Sequence, residues 1–178
     1  MSLNPLYFLA LFSLTTLLTL SSTAAPVALS PKPEKVKWED GVFVLSSFTH
    51  LKYSGGDLAK SETEALSEAI RPATGFTLRI GQVSAGAMLM NAILLELNPV
   101  LEPTLGEKGY RLTVTKGGVW IVAASPDGLA LGCKILLQLM PSVISSKTVQ
   151  TDVKWEIPCC LITDHRSSGQ APAPLNKP

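Results

Sequence analysis

The chain has 178 residues, 46% of them hydrophobic and 16% charged, with a net charge of +1. That length suits one domain whose core needs no disulfide or metal support, and the composition excludes a disordered chain. With a near-neutral balance and no basic stripe interleaved with aromatics, no nucleic-acid partner is expected.

The first charged residue is Lys32. Leu6 to Leu20 forms an apolar run, followed by the small residues Ser21, Ser22, Thr23, Ala24 and Ala25. This reads as a secretory signal peptide over residues 1–24, cleaved after Ala24, although a basic leading segment is missing. An uncleaved anchor is the competing reading, but the run is short for a span of about 20 residues. The expected location is extracytoplasmic, secreted or periplasmic, with no stable membrane span after cleavage. Residues 25–37 carry Pro26, Pro31 and Pro33 and read as an extended leader.

Gly41 to Leu45 reads as a first strand and Thr49 to Tyr53 as a second, broken by Gly55-Gly56. Asp57 to Arg71 reads as an amphipathic helix with Leu58, Ala65, Leu66, Ala69 and Ile70 on its apolar face, ended by Pro72 and Gly75. Strands follow at Phe76 to Ile80, Asn91 to Leu97 and Gly109 to Thr115. A turn at Lys116-Gly117-Gly118, with glycines expected at positive φ, leads into the partner strand Val119 to Ala123. Ser125 caps a helix that begins at Pro126, has Asp127 in its first turn and stops at Pro141. Its apolar face is Leu129, Cys133, Leu136, Leu137 and Met140. Val153 to Ile162 is a last strand, interrupted at Pro158. The order predicts an α+β fold, a largely antiparallel sheet with two helices packed on one face.

Reactive side chains are sparse. His50 and His165 have no partner at metal-ligand spacing, and Cys160, Asp164 and His165 form only a loose cluster where zinc wants four spaced ligands. Gly81 to Gly86 has phosphate-loop glycine spacing, but Ala87 and Met88 stand where Lys and Ser/Thr are needed. The carboxylates Glu39-Asp40 and Glu62, Glu64, Glu68 fit a turn and a solvated helix face better than a glycosidase pair. Trp38, Trp120 and Trp155 could stack on sugars but suit core or interface packing better. The three cysteines, Cys133, Cys159 and Cys160, leave at least one free thiol. Cys159 and Cys160 would point to opposite faces of a strand. Burial as small hydrophobes is the plain reading and a bridge from Cys133 to Cys159 or Cys160 the alternative. No catalytic, cofactor-binding or metal-binding residue is expected.

Four segments together resemble the N-terminal, non-catalytic domain of glycoside hydrolase family 20, the β-N-acetylhexosaminidases. They are Trp38 to Phe43, Thr74 to Leu78, Gly106 to Val114, and Gly117-Gly118-Val119 through Ala130-Leu131-Gly132 to Leu136-Leu137-Gln138-Leu139-Met140-Pro141. In the last, Lys134 and Ile135 replace a Gln-Thr usual in the family. The likeness covers residues 36–164 or so, and the domain is placed at 38–164. Ile162-Thr163-Asp164 fits the family's exit sequence, and the pattern breaks at His165.

The resemblance implies that catalysis belongs to a (β/α)8 barrel expected as the domain's partner. There the substrate's own acetamido group would attack the anomeric carbon, assisted by an Asp-Glu pair. None of those residues maps onto this chain, which is expected to be inactive alone and to self-associate through an orphaned docking face formed by Val153 to Ile162 with Trp155 and the outer faces of neighbouring strands. Residues 165–178 read as a disordered Ala/Pro-rich tail. A frameshift or sequencing error before the barrel is the expected cause of its abrupt onset, with a natural linker as the alternative. The alternative function is a free-standing carbohydrate-binding or interaction module. An exposed coplanar Trp pair would favour that alternative, and an uncovered apolar face would favour the supporting domain.

Overall fold

A computed structural model describes residues 28–166; the expected signal peptide and the tail beyond Arg166 lie outside the described residues. Seven strands, β1 (Lys35–Val44), β2 (His50–Ser54), β3 (Arg79–Gln82), β4 (Ala92–Leu97), β5 (Tyr110–Thr115), β6 (Gly118–Ala123) and β7 (Glu156–Asp164), form one sheet in the order β1-β7-β5-β6-β4-β2-β3. Helices α1 (Asp57–Thr74) and α3 (Pro126–Leu139) pack against each other and the sheet, and a short helix α2 (Glu102–Leu105) precedes β5.

The α+β architecture stands, but the sheet is mixed rather than largely antiparallel. β1, β7, β5 and β6 pair antiparallel, whereas β6, β4, β2 and β3 pair in parallel. The cause is connectivity. α1 separates β2 from β3 and returns the chain in the same direction, as a helical crossover does and a hairpin cannot. The connection from β3 to β4 likewise brings the chain back parallel to β2 on its other side.

Local signals explain most element ends. Ser125 accepts a hydrogen bond from the Gly128 amide at 3.2 Å, with Pro126 in the first turn. α1 runs past Arg71 and Pro72 to Thr74, because a proline in the last turn removes a single helical bond. Gly75, at φ 72°, then ends the helix and donates to the Arg71 carbonyl. In the β5–β6 hairpin Thr115 Oγ1 accepts from the amides of Gly117 and Gly118. Neither glycine has the expected left-handed φ. They allow close approach instead: a Cβ at Gly118 would sit 2.9 Å from the Ala92 carbonyl oxygen. β7 continues through Pro158, which lies beyond the last residue paired with β5, so the missing amide interrupts no ladder there.

The core fills the space between the helices and one sheet face. Leu66 and Ile70 of α1 and Leu129, Ile135 and Leu136 of α3 meet Leu51, Ile93, Leu95, Leu112 and Ile121 of the strands, each at most 2% exposed. The inward face of α1 differs from the expected one. Ala59, Thr63, Leu66, Ile70 and Ala73 are buried, while Leu58, Ala65 and Ala69 face outward. Thr63 serves as a core residue because its hydroxyl donates to the Ala59 carbonyl at 2.7 Å.

Candidate functional site

The sequence-level candidates for chemistry do not converge. Cys160 belongs to the core, whereas Asp164 and His165 are held by other residues, and among the described residues no group of three or more could bind a metal ion. In the glycine loop after β3, already lacking the Lys and Ser/Thr of a phosphate loop, the Gly86 amide donates to the Glu96 carboxylate at 2.9 Å. Glu64 and Glu68 lie exposed on α1 in ion pairs with Lys60 and Arg71. Burial, and to a lesser degree Asp127, raises the pKa of Glu62. Glu39 pairs with Lys37 at 3.0 Å. The three cysteines are free and buried, and burial pushes the thiols of Cys133 and Cys160 up to about 12.

Trp155 overturns part of the expected docking face. It is 3% exposed and its carbonyl accepts from the Leu45 amide, because β7 runs between β1 and β5 with most of its side chains shielded. The exposed apolar side chains at that end of the domain are Val44 and Phe48, beside an open cleft of about 480 Å³. Trp38 and Trp120 do not form a coplanar pair. Trp38 registers with the core residue Cys160, and Trp120 registers with Thr113 and Leu94 on the opposite face.

The structure instead assembles two features at the domain's surface. The first is a clasp where the chain enters and leaves. Asp164, 3% exposed, accepts from Arg166 Nε at 2.6 Å and from the Glu34 amide at 3.2 Å. Arg166 also donates through its side chain to the Lys32 carbonyl, and its backbone bonds to Leu105 and Lys108 around α2. His165 Nδ1 meets Glu34 Oε2 at 2.6 Å, and this contact, with the nearby charge, holds the Glu34 carboxyl below its ordinary pKa. His165 and Arg166, expected to start a loose tail, are therefore fixed to the domain. Sequence reasoning missed the clasp; its one trace is the spacing of Asp164 and Arg166, two apart and so on one side of an extended chain. The second feature is the outward side of α1, where Leu58 (60% exposed), Ala65 and Ala69 are exposed with the half-buried Glu62 among them; Ala130 of α3 is also exposed.

The described residues thus form a layered domain with its helices on one side of the sheet and a stapled exit. Glycosyl hydrolase family 20, domain 2, matches residues 27–165, and the chain belongs to that family. A β-hexosaminidase of Porphyromonas gingivalis is 30% identical over 122 residues, covering 67% of this chain and 15% of that protein. The β-N-acetylhexosaminidase structure from Streptomyces coelicolor superposes with a TM-score of 0.66 at 27% identity, covering 76% of this chain and 26% of that one. The exo-β-N-acetylglucosaminidase from Vibrio harveyi matches at 28% identity with a TM-score of 0.58, covering 76% of this chain and 18% of the other. The chain thus spans about a quarter or less of the length of these relatives.

Proposed function

We propose that residues 28–166 are the non-catalytic supporting domain of a secreted β-N-acetylhexosaminidase, docked through the outer face of α1 onto a separate catalytic barrel. The observation that carries this reading is the outward face of α1, where Leu58, Ala65 and Ala69 are exposed around the half-buried Glu62. The burial of apolar area against a neighbouring domain is what such a face offers. Family membership and relatives named as hexosaminidases support the assignment of the partner, and the charge-free stretch before Lys32 supports export. Without a barrel the same face is the surface through which the domain self-associates. The free-standing sugar-binding alternative loses its main support with Trp155 buried and Trp38 and Trp120 on opposite faces.

The test replaces the matching domain of the Streptomyces coelicolor enzyme with residues 28–166. The chimera should hydrolyse a chromogenic N-acetylglucosaminide, and the isolated domain should not. Leu58→Lys with Ala65→Glu should leave the isolated domain folded yet lower the chimera's melting temperature and activity. A chimera indifferent to both changes would exclude this docking face.

A further inference from the structure

The connection from β3 to β4, residues 83–91, crosses the sheet face turned away from α1 and α3 as a strap over β4. At one end the Val83 amide donates to the Tyr53 carbonyl, and at the other the Asn91 amide donates to the Gly117 carbonyl at 2.6 Å. Between them the Gly86 amide donates to the buried Glu96 carboxylate at 2.9 Å. The strap shields Ala92, Leu94 and Glu96, alternate residues of β4 that share this face. Its two methionines project into solvent: Met88 is 92% exposed and Met90, resting beside Gly117, 78%, against 4% for Met140 in the core.

Cations flank the strap. Lys52 of β2 registers with Leu94, and Arg79 of β3 registers with His50, two residues along β2. On the other side Arg111 of β5 registers with Val122, which registers with Glu96. Arg79 and Arg111 are exposed and Lys52 is half-buried. Among the described residues none of the three makes an ion pair. Lys35 and Lys37 at the β1 edge share the face but pair with Glu34 and Glu39. The helices carry the opposite balance, with Asp57, Glu62, Glu64, Glu68 and Asp127 against Lys60, Arg71 and Lys134.

We propose that this face is a peripheral membrane-binding surface for an anionic bilayer. Met88 and Met90 enter the boundary between headgroups and acyl chains, while Lys52, Arg79 and Arg111 meet the negative headgroups on either side of them. The pairing of projecting apolar side chains with unpaired flanking cations selects this partner. A soluble polyanion satisfies the cations and leaves both thioethers in water. A folded protein needs a groove shaped to the raised strap, whereas a fluid surface conforms to it, and the unbranched methionine side chain adapts in turn. With the strap inward, the acidic helices face away from the negative surface, so the charge asymmetry of the domain orients it. The outer side of α1 stays free to dock onto a catalytic barrel, so this proposal and that reading stand or fall separately.

The test attaches an environment-sensitive dye to the full chain through Met88→Cys and, separately, through Leu58→Cys on the opposite side. The native thiols Cys133, Cys159 and Cys160 are buried, so the dye goes to the new one. Phosphatidylcholine vesicles containing phosphatidylserine should shift the Met88→Cys emission to the blue and leave the Leu58→Cys emission unchanged. That contrast separates insertion of the strap from adsorption of the apolar run Leu6 to Leu20. The lipid concentration at half-shift should rise with salt. Lys52→Gln, Arg79→Gln and Arg111→Gln should each raise it about three- to fivefold, and Met90→Ser about three- to tenfold. Lys134→Gln, an equal charge change on exposed α3, should leave it unaltered, with circular dichroism confirming that every variant is folded. No shift with anionic vesicles at low salt, the same half-shift with pure phosphatidylcholine, an equal rise in Lys134→Gln, or an equal shift with soluble polyglutamate in place of vesicles would overturn the proposal.

Discussion

Replacing Asp164 with alanine tests whether the clasp holds the domain together. Asp164 is almost fully shielded, its side chain 4% exposed, and Arg166, its partner at 2.6 Å, is 20% exposed. Removing one partner of a buried pair costs about 3–5 kcal/mol because the other charge is left uncompensated. Arg166 retains some water and the Lys32 carbonyl, which lowers the expectation to about 2–4 kcal/mol. The Glu34 amide loses its acceptor in the same substitution. For a domain of this size that corresponds to a fall in Tm of roughly 5–15 °C, read by circular dichroism with urea melts to confirm an unchanged m-value. Arg166→Ala, which strands the more deeply buried group, should cost at least as much. The double variant should show a coupling of about 1–3 kcal/mol. A loss below about 0.5 kcal/mol for Asp164→Ala would refute the reasoning, since an exposed ion pair is worth that much.

Leu66→Ala and Ile70→Ala should each destabilise by about 2–5 kcal/mol, whereas Leu58→Ala should change the isolated domain's stability by less than about 0.5 kcal/mol in the same melts. The Glu34 carboxyl, held low chiefly by its hydrogen bond to His165, contributes stability that is present above its unfolded pKa and lost as pH falls through its folded one. Between about pH 5 and 3 the wild type should therefore lose slightly more stability than Glu34→Gln in parallel melts. In the folded protein at pH 8, iodoacetamide should leave Cys133 and Cys160 unlabelled, both thiols being pushed up to about 12 by burial, while unfolding exposes them to modification detectable by mass spectrometry.

Features fixed by neighbouring residues are legible in the sequence. The β5–β6 hairpin follows from two alternating runs around Lys116-Gly117, and the start of α3 from Ser125-Pro126-Asp127. Strand partners were not legible, because alternation within His50–Ser54 says which side chains share a face and nothing about which strand lies alongside. The orientation of α1 failed for a related reason. Its sequence has two apolar stripes, and burial of Thr63 with an internal hydrogen bond decides between them, a bond that a hydrophobicity pattern does not register. α2 was hidden by Pro99, Pro103 and Gly106, which read as loop punctuation. The clasp draws on Lys32, Glu34, Leu105 and Lys108 as well as the last strand, and no local spacing ties those positions together.

The sheet order also governs how the domain is born. β7, the last of this domain's seven strands to be synthesised, lies between β1, the first, and β5. Until Asp164 has emerged, β1 has no partner and β5 presents a bare edge. The N-terminal strand must therefore wait, extended and with Trp38 uncovered by its β7 neighbour, through the synthesis of nearly everything else. Pairing across such a separation carries a large loop-closure penalty and forms slowly. A nascent chain stalled before Glu156 exposes two unpaired edges, the state most open to misassembly and to chaperone capture. Completion of this domain is therefore a single late event, in which the closing strand completes the sheet and its end reaches Glu34.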